Sequence, residues 1–145
     1  MFKNYILLIL VVFISTTSLN AQQKWAKDGS ALYQIEDGAL IKNKMPENLK
    51  TDILTTSQLT PTGQTKPLKV ESFQFSEDNS KILIFTNAQR VWRFKTRGDY
   101  WLFDSNNKTL KQIGKDRPAT TLMFAKISPD GKMVAYVSEI GRAHV

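Results

Sequence analysis

Side chains suited to catalysis are scarce in this sequence. It has no cysteine, so a thiolate nucleophile, a thiolate metal site and a disulfide are all out of reach. Its one histidine, His144, is the penultimate residue, and no Gly-x-Ser-x-Gly elbow occurs. Asp78 and Asp130 could each offer a cation one carboxylate, but neither has a local cluster of further carboxylates to complete a coordination shell. They read as turn caps, and no metal or cofactor is expected. Arg97-Gly98-Asp99 spells an adhesion tripeptide but reads as a tight turn between strands. Asn107-Lys108-Thr109 fits a glycosylation triplet, a pattern short enough to arise by chance. Trp92 and Trp101 read as packing residues, and Arg93 as a strand-end cation with Asp99 as a local ion-pair partner. Nothing in the chain supplies a complete catalytic constellation.

The elements that would position these residues are strands. From Gln22 onward, short apolar stretches alternate with turn residues, and no segment holds a helical period. Residues 32–36 and 39–43 flank Asp37-Gly38, a two-residue hairpin turn because both positions tolerate positive φ. Residues 46–67 are polar and Thr-rich and read as a loop or extended outer segment, with a helix over 47–54 the less favoured alternative. A four-stranded meander follows over 69–75, 81–96, 100–104 and 109–113, with turns at 76–80, Arg97-Gly98 and 105–108. A linker containing Pro118 leads to a further hairpin, 122–127 and 133–137, across Ser128-Pro129-Asp130-Gly131-Lys132.

An internal repeat orders these pieces. Phe75-Ser76-Glu77-Asp78-Asn79 and Ile127-Ser128-Pro129-Asp130-Gly131 share one frame, with one residue inserted in the first copy before its following apolar run. Trp25-Ala26-Lys27-Asp28-Gly29 is a degenerate third copy. The three aspartates are 50 and 52 residues apart, a period that suits one four-stranded propeller blade. Asp and Ser accept backbone N–H groups in such a turn, Pro presets φ, and Gly or Asn takes the left-handed conformation. A blade cannot bury both faces alone and must stack on neighbours. The fold class is therefore all-β, a partial β-propeller of about two to two and a half blades after a signal peptide.

Residues 1–21 form the leader: Lys3, then an apolar run from Ile6 to Ile14, then a polar stretch ending at Ala21. The run falls short of the ~20 apolar residues a membrane span needs. Export to the periplasm or outside the cell is expected. At the other end, Ile140-Gly141-Arg142-Ala143-His144-Val145 breaks off a strand pattern. The codons ATC-GGA-AGA-GCA-CAC-GTC, a common sequencing adapter, would encode it, so 140–145 is set apart from the 22–139 domain. Without Lys3 and Arg142 the net charge of +7 becomes +5, and the remaining cations are scattered. With no basic stripe, nucleic acid is not an expected partner.

Two segments carry a family resemblance. Residues 90–101, Arg-Val-Trp-Arg-Phe-Lys-Thr-Arg-Gly-Asp-Tyr-Trp, stand in the right place before residues 122–137, which contain the Ser-Pro-Asp-Gly hairpin. Together they resemble the N-terminal propeller of dipeptidyl peptidase IV-type enzymes in the prolyl oligopeptidase class of serine peptidases, with exported bacterial members the most similar. The resemblance spans residues 69–138 and is weak before that. It implies a propeller that gates an α/β-hydrolase domain later in the same parent chain, which would supply the Ser, Asp and His. It implies peptide substrates that lose an N-terminal dipeptide with Pro or Ala second, and leaves a homodimer of the parent enzyme open. It makes Arg93 the propeller arginine that contacts a substrate carbonyl oxygen, a task suited to a permanently charged fork of donors. The family's consecutive glutamates, which hold the substrate amino group, are absent from this chain. The competing readings are a non-catalytic envelope-binding propeller and a related peptidase of the same class.

Overall fold

A computed structural model describes residues 23–138 as ten strands, with no helix among the described residues. The 1–21 leader and the 140–145 tail lie outside them. One sheet is a meander of β1 (Lys24–Trp25), β2 (Ala31–Glu36), β3 (Ala39–Lys44) and β4 (Leu49–Leu54). The other contains β5 (Val70–Phe75), β6 (Lys81–Val91), β7 (Phe94–Asp104), β8 (Thr109–Ile113), β9 (Leu122–Ile127) and β10 (Val134–Ser138). All pairings are antiparallel. β8 and β9 share one edge of β7: β8 pairs with residues 100–104, and β9 with Arg97 and Gly98. The chain thus forms two four-strand units, β1–β4 and β5–β8, and then the hairpin β9–β10. This is the all-β partial propeller that the repeat implies.

In each unit the first two strands are joined by the same turn. Asp28, Asp78 and Asp130 accept the backbone N–H two residues on, from Ser30, Ser80 and Lys132, at 3.0, 3.0 and 3.1 Å. Gly29, Asn79 and Gly131 follow them at φ 71°, 58° and 68°, the left-handed region where Gly and Asn are least strained. The Ser76 and Ser128 hydroxyls each donate to their Asp at 2.6 Å and accept the N–H of Lys81 and Met133 at 2.9 Å. Ala26 has no hydroxyl, and in that copy Ser30 Oγ donates to Asp28 instead, at 2.8 Å. The bonds match position for position, so the residue expected as an insertion is not one. The two Ser-bearing turns are equally long, and Lys132 stands where Ser80 does.

The middle unit is covered on both sides. Ile82, Leu83, Ile84, Phe85 and Thr86 of β6 are all buried. Ile82 and Ile84 join Phe73, Phe103 and, from the first unit, Leu40, Leu54 and Leu59 in one cluster. Leu83 and Phe85 join Tyr100, Leu122 and Ala125 in a second. An unbroken apolar run, where strict alternation would mark a one-sided strand, is the mark of a sheet buried on both faces. The Tyr33 and Phe75 rings, 4.7 Å apart, bridge the first two units.

Two strand boundaries differ from the sequence reading. Segment 46–67 divides between its two readings: Leu49–Leu54 is an extended outer strand, β4, paired along β3, and only after it does the chain loop out, pinned by the fully buried Leu59. Arg97-Gly98 is not a turn but lies inside β7. The chain reverses at Trp92-Arg93, making β6 and β7 an eleven-residue pair joined by a two-residue loop.

The turns are expected to make the fold acid-sensitive. Hydrogen bonds from Ser76 and Ser80 hold the Asp78 carboxyl far below its ordinary range. Bonds from Ser30 to Asp28, from Asn107 and Asn106 to Asp104, and from Ser128 and Lys132 to Asp130 act in the same direction. A carboxylate with a depressed folded pKa contributes its full stability above the unfolded value of about 3.9 and loses it as pH falls through the folded value. Stability is therefore expected to decline below about pH 4, and Asp78→Asn to flatten that decline. Urea midpoints measured from pH 7 down to pH 2.5 check this; parallel curves for both proteins would refute it.

Candidate functional site

The long β6–β7 pair extends past the sheet as an arm. Its base is the pair Thr86↔Asp99; beyond it lie Gln89↔Arg97, Arg90↔Lys95 and Val91↔Phe94, with register shifts on either side of Gln89. At the tip Trp92 is 94% exposed and Phe94 71%, with Arg93 exposed between them. Trp92 has φ 58°. For a bulky aromatic this is an outlier costing about 1–3 kcal/mol, and such strain collects at functional sites. Arg90 and Lys95 are exposed on the same arm, making its outer half cationic, and Glu71 of β5 pairs with Lys95 at 3.2 Å. A fork of donors flanked by exposed aromatic rings can grip a carbonyl or carboxylate oxygen and shield it from water.

The expected residues are sorted by this geometry. Trp101 is half-buried against the first core cluster, as a packing residue should be. Trp92 is not a packing residue, since it sits in the reversal itself. Arg97-Gly98-Asp99 is not presented on a loop: Gly98 and Asp99 are buried within β7. Gly98 is required by close approach, because a Cβ there would lie 2.5 Å from Phe85 Cε2 and 2.6 Å from the Thr86 carbonyl oxygen. Asp99 does not pair with Arg93. Its carboxylate accepts Asn87 Nδ2–H and the Thr120 N–H, each at 2.7 Å. Asp78 and Asp130 are turn caps, and the described residues contain no group of three or more side chains able to hold a metal ion. Asn107 sits in the 105–108 turn, its N–H and side chain bonded to Asp104.

Sequence reasoning missed the arm because Trp-Arg carries no turn chemistry. A signal was there: Arg90-Val91 and Phe94-Lys95 mirror each other in polarity about Trp92-Arg93.

Residues 76–140 match the family model described as the dipeptidyl peptidase IV (DPP IV) N-terminal region. Dipeptidyl aminopeptidase B of Saccharomyces cerevisiae is 28% identical over 105 residues, which are 72% of this chain and 12% of that protein. A Schizosaccharomyces pombe protein described as a dipeptidyl aminopeptidase is 27% identical over 72% of this chain and 13% of its own length. Over residues 76–140 the chain is similar to the N-terminal region of the dipeptidyl peptidase IV family. The crystal structure of Porphyromonas gingivalis dipeptidyl peptidase 4 superposes with a TM-score of 0.68 at 18% identity, covering 81% of this chain and 16% of that one. At that identity the likeness shows the fold. The dipeptidyl peptidase IV match begins at Ser76, the first hydroxyl of the second Asp-bearing turn, and takes in the whole arm and the β9–β10 hairpin. The first unit, β1–β4, and β5 precede it, so the match covers both turns that carry the complete Ser-x-Asp frame.

Proposed function

We propose that this region is part of the propeller of an exported serine-type dipeptidyl peptidase, and that it gates the active site and binds substrate through Arg93. The observation carrying this is the arm: a cationic hairpin inside the family-matched segment, with Arg93 exposed at a strained tip. A peptide carbonyl oxygen is the natural partner for that guanidinium. The Ser, His and Asp belong to a hydrolase domain elsewhere in the parent chain, and the glutamates that would hold the substrate amino group lie downstream of this region. The substrate is a peptide with a free amino terminus and Pro or Ala second, and the product an N-terminal dipeptide. Lys3 and the apolar run that follows support export with removal of residues 1–21. N-terminal sequencing of the mature protein should then read from Gln22, and an intact Met1 would rule cleavage out.

The full-length protein should cleave a chromogenic Gly-Pro substrate, and a serine-directed inhibitor should block it. Arg93→Ala removes a charge-assisted hydrogen bond worth about 1.5–3 kcal/mol, so kcat/KM should fall about ten- to hundredfold. An unchanged kcat/KM would take Arg93 out of the site.

A further inference from the structure

We infer that Asp99 is a positioning residue that clamps the base of the arm and so sets where Arg93 sits. Three segments meet at its carboxylate. Asp99 itself is on β7, paired with Thr86 of β6. Asn87, next along β6, donates its side-chain amide to one oxygen, and Thr120, in the connection between β8 and β9, donates its backbone N–H to the other. Both partners are non-glycine residues in the left-handed region, at φ 53° and 60°, so each departs from the regular path where it reaches Asp99. Asn87 lies in the stretch where β6 gains a residue on β7, between the pairs Thr86↔Asp99 and Gln89↔Arg97. Such a bulge bends and twists its strand, and a hydrogen bond fixing its amide fixes the bend. Asp99 is 7% exposed, so its carboxylate is largely shielded from water, although Asn87 itself is exposed. Thr86 ties the same base to the lead-in of β5 through its hydroxyl on the Lys69 carbonyl, at 2.8 Å.

The arm is a lever about this point. Arg93 lies six residues beyond Asp99 along β7 and its loop. At ~3.3 Å per residue that is roughly 20 Å, so a tilt of about 5° at the base moves the tip by about 2 Å. A displacement on that scale is enough to undo a substrate contact. Above the base, β9 holds Gly98 and Arg97 as part of the same footing, and further out the pair of Lys95 with Glu71 involves a largely exposed lysine and adds only weak restraint.

The inference rests on the proposed role of Arg93, and a double-mutant cycle in the full-length peptidase separates the two. Asn87→Gly keeps the left-handed backbone and removes the Asn87–Asp99 bond alone; Asp99→Ala removes both bonds. With Gly-Pro-p-nitroanilide as substrate, Asp99→Ala should lower kcat/KM about tenfold and Asn87→Gly by a smaller factor. Introduced into Arg93→Ala, either change should lower it no further, because the clamp acts through the group already removed. A loss of folded protein would instead reduce activity by the same factor in both backgrounds, and that result overturns the clamp. So does an unchanged kcat/KM for both Asn87→Gly and Asp99→Ala when Arg93→Ala alone is impaired; the Arg93 reading then survives. No effect of Arg93→Ala itself overturns both. Should Asp99→Ala fail to fold, the Asn87→Gly pair decides.

Discussion

Phe103→Ala should cost about 3–5 kcal/mol, the range for truncating a fully buried aromatic side chain. Phe103 is 1% exposed and belongs to the cluster that joins the first two units through Leu40, Leu54 and Leu59 on one side and Ile82 and Ile84 on the other. Its neighbours cannot close the space, because they come from two sheets and a pinned loop held by their own hydrogen bonds. The loss combines the transfer energy of the ring with a cavity at an interface between units. Urea unfolding of the full-length protein, followed by far-ultraviolet circular dichroism, checks it as a fall in the propeller midpoint. A shift worth under about 1 kcal/mol would mean that the interface repacks freely, contrary to a close-packed interior.

Gly98→Ala should destabilise by about 1–3 kcal/mol or more although it adds a single methyl group. The new Cβ would lie 2.5 Å from the Phe85 ring and 2.6 Å from the Thr86 carbonyl oxygen, and the latter is backbone that cannot turn away. Relief requires β7 to move off β6 where the Phe85 and Tyr100 rings meet at 4.7 Å, and β9 pairs through Gly98 at the same point. The expected outcome is a lower urea midpoint together with faster proteolysis of the arm. A glycine needed only for a turn would behave otherwise: Ala at a negative φ would be neutral or stabilising. A neutral Gly98→Ala would therefore restore the turn that the sequence suggested.

That reversal shows where the sequence was legible. Asp37-Gly38 announces its hairpin because both residues must take positive φ, and they do, at 51° and 78°. The three Asp-bearing turns were visible because their hydrogen bonds are local, within five residues, so chemistry and spacing coincide. β4 was hidden because it is an outer strand: most of Leu49–Leu54 is exposed and only Leu54 is fully buried, so no apolar pattern marks it. The arm reversal was hidden because Trp92 adopts a backbone conformation its type disfavours. The Asp99 clamp was beyond reach for a different reason. Its partners lie 12 and 21 residues away, and their connection depends on a bulge that no composition signals. Arg93 was named through its resemblance to a family; its exposure on a projecting lever came from the fold.

Mass spectrometry of a peptide incubated with the full-length protein tests the central claim most directly. A peptide with a free amino terminus and Pro second should lose its first two residues as one unit, while its N-acetylated twin stays whole. Release of single residues, internal cleavage, or equal processing of the acetylated peptide would contradict a propeller whose arm holds substrate for dipeptide removal.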